Sequence, residues 1–186
     1  METSVRRKGP MPVERAGHLL HPLRALMYGP SALLRDLAPA PDAQVLELGA
    51  GPGYYSLAVA RAVPRGRLWL VDVQPGMLDL ARRRLDAAGV RNAECVAADA
   101  ASLGLPAQTF DAAFLVAVLG ELPDPALCLR EVRRVLRPGG SLLVAEQLGD
   151  PDRLRVAELR RLVAAAGLRL ERVHRGLLAW SLRARA

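Results

Sequence analysis

Lysine is all but missing from this chain of 186 residues: of its 26 lysine and arginine positions, only Lys8 is lysine. That skew is what codon bias in a GC-rich bacterial genome produces. No lysine therefore follows any later glycine-rich turn, which excludes a phosphate-binding P-loop. Aromatic residues make up only 4% of the chain, too few for the stacking platforms that bind single-stranded nucleic acid. Cysteine occurs twice, as Cys95 and Cys128, with no Cys-x-x-Cys and no nearby histidine. A zinc site is therefore not expected, and two buried thiols in a reducing compartment are. No apolar run reaches the roughly 18 residues that a membrane span needs. Residues 1–12 carry charge and two prolines but no apolar core of a leader peptide. The expectation is a cytoplasmic chain with a disordered tail over residues 1–12. The formal net charge is +7, which could serve an anionic partner. The arginines are scattered, however, and the densest run, Arg82-Arg83-Arg84, falls inside a helical pattern. A solvated surface accounts for them, and nucleic acid is not the expected partner. Peripheral contact with a membrane and the oligomeric state stay open.

What is present is an alternation of strands and helices within a length that suits one domain with a sizeable core. Residues 13–39 read as a helical arm. Leu19, Leu20, Leu23, Leu26 and Met27 recur near a 3.6 spacing, with a break at Gly29-Pro30 and Ser31 as a cap for a second helix. Beyond Pro39, strands are expected at 43–48, 67–71, 93–97, 111–118 and 141–145. Helices are expected at 53–62, from Pro75 to about 88, from Pro125 to before Pro138, and at 152–166. The segment 111–118 is continuously apolar, as a strand buried on both faces must be. Two last strands, 168–173 and 177–182, are joined by a turn near Gly176 too short for anything but an antiparallel pair. The pattern is an α/β fold built on a mostly parallel sheet.

In such a sheet the ligand lies beyond the carboxyl ends of the strands, at the point where strand order reverses. The first strand ends in Glu47-Leu48-Gly49-Ala50-Gly51-Pro52-Gly53. A dinucleotide turn reads G-x-G-x-x-G; here glycine recurs at every second position behind an acid. A carboxylate beside a pyrophosphate repels it, whereas a carboxylate beside an amine attracts it. Asp72 follows 19 positions after Gly53 at the end of an apolar strand, placed to accept two hydrogen bonds from a ribose diol. A cap on the Pro75 helix is its alternative role. Asp99, at the end of the third strand, is a candidate for an adenine amino group.

These residues resemble the class I S-adenosylmethionine-dependent methyltransferases, in the broad ubiquinone/menaquinone-biosynthesis-like group. The glycine motif matches the family's first motif and "LVDVQPGMLDLARRRL" at 70–85 its second. "AADA" at 97–100 is similar to the third. "FDAAFLVAVLGELPDP" at 110–125 resembles the fourth strand and its loop, and "EVRRVLRPGGSLLVAE" at 131–146 is typical of the family. The resemblance covers about residues 40–182. It implies a Rossmann-like seven-stranded sheet of order 3-2-1-4-5-7-6 with strand 7 antiparallel and helices on both faces. It implies a methyltransferase domain over 40–186, with 13–39 as a candidate lid. The implied cofactor is S-adenosylmethionine, with S-adenosylhomocysteine as product. The implied cofactor-binding residues are Glu47, Gly49, Ala50, Gly51, Gly53, Asp72, Val73, Gln74, Met77, Asp99, Ala100 and Val116.

Methyl transfer from a sulfonium needs alignment in a dry site, and a base only where the nucleophile must lose a proton. Glu121, after the fourth strand, is the best-placed acid for base or substrate work. Glu146, ending the fifth strand, is a weaker one. His18 and His21 lie on one helical face of the arm and are candidates for a base or for packing. Tyr54 and Trp180 read as packing. The segment 147–152 is short where members of the resembled group often carry a substrate-covering insertion. A small-molecule acceptor is the leading expectation. A methyltransferase acting on RNA or an anionic lipid, and a catalytically silent cofactor-binding module, are the alternatives.

Overall fold

The computed structural model describes residues 11–21 and 24–186; most of the expected tail lies outside them. The arm begins with a 3-10 turn at Val13–Arg15. It continues through α1 (Ala16–Leu19), α2 (Arg24–Tyr28) and α3 (Pro30–Leu37). The break falls at Gly29-Pro30 as expected, but the cap is Gly29, with Pro30 as first helical residue and Ser31 inside the helix. Proline suits that position because its missing N–H would have no helical partner.

Then follow β1 (Gln44–Leu48), α4 (Ser56–Ala62), β2 (Arg67–Asp72), α5 (Pro75–Ala87), β3 (Ala93–Ala97) and β4 (Phe110–Val116). A 3-10 turn at Leu119–Glu121 leads into α6 (Pro125–Val135), β5 (Leu136–Gln147), α7 (Val156–Ala165), β6 (Arg169–Arg175) and β7 (Ala179–Arg185). All seven strands form one sheet of order β3-β2-β1-β4-β5-β7-β6. It is parallel from β3 to β5, and β7 runs antiparallel to both neighbours.

Several boundaries differ from the sequence reading, among them β5, which runs Leu136–Gln147 rather than over 141–145. β4 stops at Val116 because Ala117 turns into the left-handed region at φ 55°. α4 starts at Ser56 rather than Gly53, since Gly53 itself has φ 76°. α7 starts at Val156 rather than Asp152. As in the sequence reading, β3 connects to β4 through a loop without a helix, so the strand–helix alternation is interrupted once.

The sheet separates two apolar layers. Phe114, Val116 and Leu143 face α3, α4 and α5, while Leu115, Leu142 and Val144 face α6 and α7. β4 thus contributes to both layers, which explains its unbroken apolar run. The two cysteines are unbonded to each other; Cys128 is buried and Cys95 half-buried. Burial pushes both thiols up, Cys128 to about 12, which keeps them protonated.

Asp36 anchors the arm. Its carboxylate is buried and accepts hydrogen bonds from Tyr28 Oη at 3.0 Å, Ser181 Oγ at 2.7 Å and Arg35 Nε at 3.1 Å. Burial alone would raise its pKa, but the hydrogen bonds from Ser181, Arg35 and Tyr28 outweigh it and hold the carboxyl below its ordinary range. The same burial, with Asp36 beside it, drives the Tyr28 hydroxyl far upward. A depressed acid stabilises the fold above its unfolded pKa and loses that contribution as pH falls through the folded one. Asp36→Asn should therefore cost about 1.5–3 kcal/mol in chemical denaturation near neutral pH. The deficit should shrink in acid, where the native carboxyl also protonates.

Candidate active site

β2, β1 and β4 lie side by side, and strand order reverses at β1. Their carboxyl ends bound a cavity of about 810 Å³, within the size range of small-ligand sites.

The glycine turn forms the cavity's base, and its N–H groups are already used. Gly49 and Ala50 N–H both donate to the Val71 carbonyl, at 2.8 and 3.1 Å. Gly51 N–H donates to Asp72 Oδ2 at 2.9 Å, and Gly53 N–H to the Ala50 carbonyl at 3.1 Å. A phosphate needs such donors pointed at it; this turn spends three of them on β2 and one on itself. Gly49 combines φ 66° with a close contact: a Cβ there would lie 2.4 Å from Val118 Cγ2. Gly51 faces the cavity beneath Leu19 of the arm. Gly53 is different in kind, since it lies outside the cavity lining and a Cβ there would press on Ala81 of α5 at 3.0 Å. Its role here is helix packing.

Three acids stand around the turn. Glu47 is 2% exposed and accepts a 2.6 Å hydrogen bond from Ser56 Oγ. Burial, against the help of Ser56 and with the Asp72 charge adding to it, pushes its pKa up to about 8. Asp72 accepts from Gly51 N–H and, at 2.9 Å through its other oxygen, from Gln74 N–H. A carboxylate offers about four lone-pair sites, so Asp72 can brace both turns and still receive a diol. The cap and the ribose acceptor are thus compatible roles. Asp99 accepts the Ala101 N–H at 2.8 Å and also lines the cavity. With these acids, Val73, Met77, Ala98, Ala100 and Val116 line the cavity and give it an apolar slot. Val73 is 57% exposed, an apolar face open to a flat ring.

Glu121 lines the other end of the cavity, on the 3-10 turn, beside Val118, Leu122 and Pro123. His18 and His21 do not join it. Both are exposed and outside the lining, whereas Leu19 points in, because adjacent helical residues face different directions. Sequence reasoning missed Met11, Leu19 and Tyr55 as cavity residues and took Tyr54 for packing. Tyr54 and Tyr55 both line the cavity, ring edge to ring face at 4.8 Å. Their position directly behind the third glycine was the available signal. Tyr55 Oη donates to the Tyr28 carbonyl at 2.7 Å and receives Gln147 Nε2 at 3.1 Å. Gln74 Nε2 donates to the Met11 carbonyl at 3.0 Å, which fastens the arm across the slot.

Residues 45–140 match the methyltransferase domain family. The chain belongs to that family. The cofactor of that family is S-adenosylmethionine, and the chain's curated relatives include quinone-biosynthesis C-methyltransferases. It is 39% identical over 109 residues to the ubiquinone/menaquinone biosynthesis C-methyltransferase UbiE of Bordetella parapertussis, covering 57% of this chain and 41% of that protein. It is 36% identical over 115 residues to the demethylmenaquinone methyltransferase of Clavibacter sepedonicus, covering 62% and 45%. The chain spans less than half the length of these curated relatives. Among solved structures, a SAM-dependent methyltransferase from Aquifex aeolicus superposes with a TM-score of 0.88 over 95% of this chain and 99% of that one, at 23% identity. That likeness is one of fold.

The cavity suits the family's cofactor. Its polar lining is rich in acceptors, and the cofactor offers donors: an ammonium, two ribose hydroxyls and an adenine amine. A sulfonium cation is likewise favoured near Glu47 and Asp72. Two outcomes follow. Asp72→Ala should weaken S-adenosylhomocysteine binding by about 10- to 100-fold, roughly 1.4–2.8 kcal/mol, in calorimetry; unchanged affinity would remove Asp72 from the site. In the ligand-free protein Glu47 keeps its proton up to about pH 8 while the unfolded chain loses it in the ordinary carboxyl range. Stability therefore falls as pH rises through that window, by at most about 1.4 kcal/mol per pH unit. Glu47→Gln should flatten this slope in denaturation curves.

Proposed function

We propose that this protein transfers the methyl group of S-adenosylmethionine to a small, largely apolar acceptor by in-line displacement. One observation carries the reading: the acids suited to the cofactor and the apolar wall around Glu121 bound a single cavity at the switch point of the sheet. The cofactor supplies the activated methyl. The chain's own task is alignment and exclusion of water, which can provide much of the rate. Glu47, Asp72 and Asp99 hold the two ends of the cofactor, and Val73, Met77 and Ala100 enclose its flat ring. Met11 and Leu19 roof the cavity, so the arm of residues 11–37 acts as its lid.

The acceptor enters between the arm and the 3-10 turn, against Leu19, Val118, Leu122 and Pro123. Glu121 orients it or takes its proton. The lining's carboxyl groups, Asp72, Asp99 and Glu121 with the protonated Glu47 able to ionise beside a cation, favour a neutral or cationic guest over an anionic one. That supports a small-molecule acceptor rather than RNA or an anionic lipid. The C-methyltransferase relatives make phenol- and quinol-type rings the first acceptors to try.

Incubation with S-adenosylmethionine and a panel of apolar phenols, quinols, amines and thiols should yield S-adenosylhomocysteine with one class. Glu121→Gln should then lower turnover by at least about tenfold while leaving S-adenosylhomocysteine affinity unchanged. Tight cofactor binding with no turnover on any class would favour a silent binding module.

A further inference from the structure

Among the described residues, the two carboxyl oxygens of Glu146 are the only buried side-chain oxygens without a hydrogen-bond partner. The residue is 1% exposed. An unpartnered buried polar group is costly, and its position says what it touches. Neighbours on a strand face opposite ways. Gln147 points to Tyr55 on the cavity side. Glu146 points to the other face, beneath the loop from Leu148 to Arg155 that leads into α7. The Leu154 N–H approaches its carboxyl without closing a hydrogen bond.

That loop presses directly on the 3-10 turn of Glu121. A Cβ on Gly120 would lie 1.8 Å from the Asp152 carbonyl oxygen, so the two backbones meet with no room for a side chain. The charges that reach Glu146 come from both sides of this joint. Asp150 and Arg153 belong to the loop, and Glu121 to the turn.

We infer that Glu146 is a positioning residue for the acceptor end of the cavity: it lies beneath the joint between the 3-10 turn and the β5–α7 loop and sets where Glu121 stands. This rests on the reading of Glu121 as an acceptor-side residue. Burial, reinforced by Asp150, holds the proton on Glu146 up to about pH 8. In that neutral form the joint can close over it. Once ionised, the carboxylate faces Asp150 and Glu121, with Arg153 as counter-charge. An unpaired buried charge is relieved by admitting water, and the route for water is to lift the loop from the turn. The acceptor wall is therefore set below about pH 8 and loosened above it.

The test needs no acceptor. Trp180 stands opposite Glu146 in the β5–β7 ladder, and Trp69→Phe leaves it as the single indole. Its emission should change between pH 6 and 10 with a midpoint at about 8, and Glu146→Gln, which mimics the protonated form, should abolish the transition. At pH 9 Glu146 is roughly nine-tenths ionised. Amides of residues 118–122 should then exchange about threefold or more faster in wild type than in Glu146→Gln at the same pH. The exchange comparison uses the chain with both tryptophans and decides the matter if Trp69→Phe disturbs the fold. A transition that survives in Glu146→Gln, or equal exchange in the two proteins, overturns the inference. Calorimetry should give both proteins the same S-adenosylhomocysteine affinity near neutral pH. Failure of wild type to bind it would instead overturn the cofactor reading, separately from the exchange result.

Discussion

The end of β2 holds the turn after β1, and the rest of the site follows from that attachment. The Val71 carbonyl takes two successive N–H groups of the glycine turn, and the Asp72 carboxylate takes a third. Backbone donors that would otherwise face the cavity are consumed, so what remains in view is a set of acceptors. The preference for a cation-bearing nucleoside over a phosphate is thus set by where the main chain's hydrogen bonds go. Asp72 serves twice, because its second oxygen also starts the turn into α5. The position of the slot and the position of its acid are fixed by one side chain.

A second network ties the arm to the same place. Tyr28 bonds Asp36, Asp36 is held by Ser181 of β7, and Tyr55 reaches the Tyr28 carbonyl from the cavity wall. Gln147 at the end of β5 completes the path. The arm is therefore anchored through buried polar contacts at its rear and laid across the cavity at its front by Met11 and Leu19. For the lid proposed above, opening needs to break only the front contacts.

The fold was legible because its signals are redundant. Strand β4 announced its burial through an unbroken apolar run, and the closing hairpin through the short turn at Gly176. Two of the boundaries that slipped are set by single backbone angles, at Gly53 and Ala117, which composition does not reveal. That Glu47, Asp72 and Asp99 stand together was likewise readable, since these acids sit at the ends of strands in fixed motifs, and all three line the cavity. The cavity wall contributed by the arm was not. Leu19 announces itself only as one more apolar position of the arm, and its place over Gly51 depends on how the arm packs across the sheet. His18 and His21 share a helical face, but nothing local says that the face turns outward. Glu146 ends its strand like any other residue, and only the contact of Asp152 with Gly120 reveals what lies above it.

The antiparallel seat of β7 bears on how the chain reaches this structure. Residues 179–185 sit between β5 and β6, so a strand late in the chain fills an interior place in the sheet. While they are still being synthesised, β5 presents an open edge and β6 has nothing to pair with. The Asp36 anchor is also incomplete, since Ser181 has not arrived. Order along the ribosome therefore cannot mirror order along the sheet. The amino-terminal half can collapse early, but closure waits for these residues, and until then an exposed β5 edge is an invitation to wrong pairing that a nascent chain must survive.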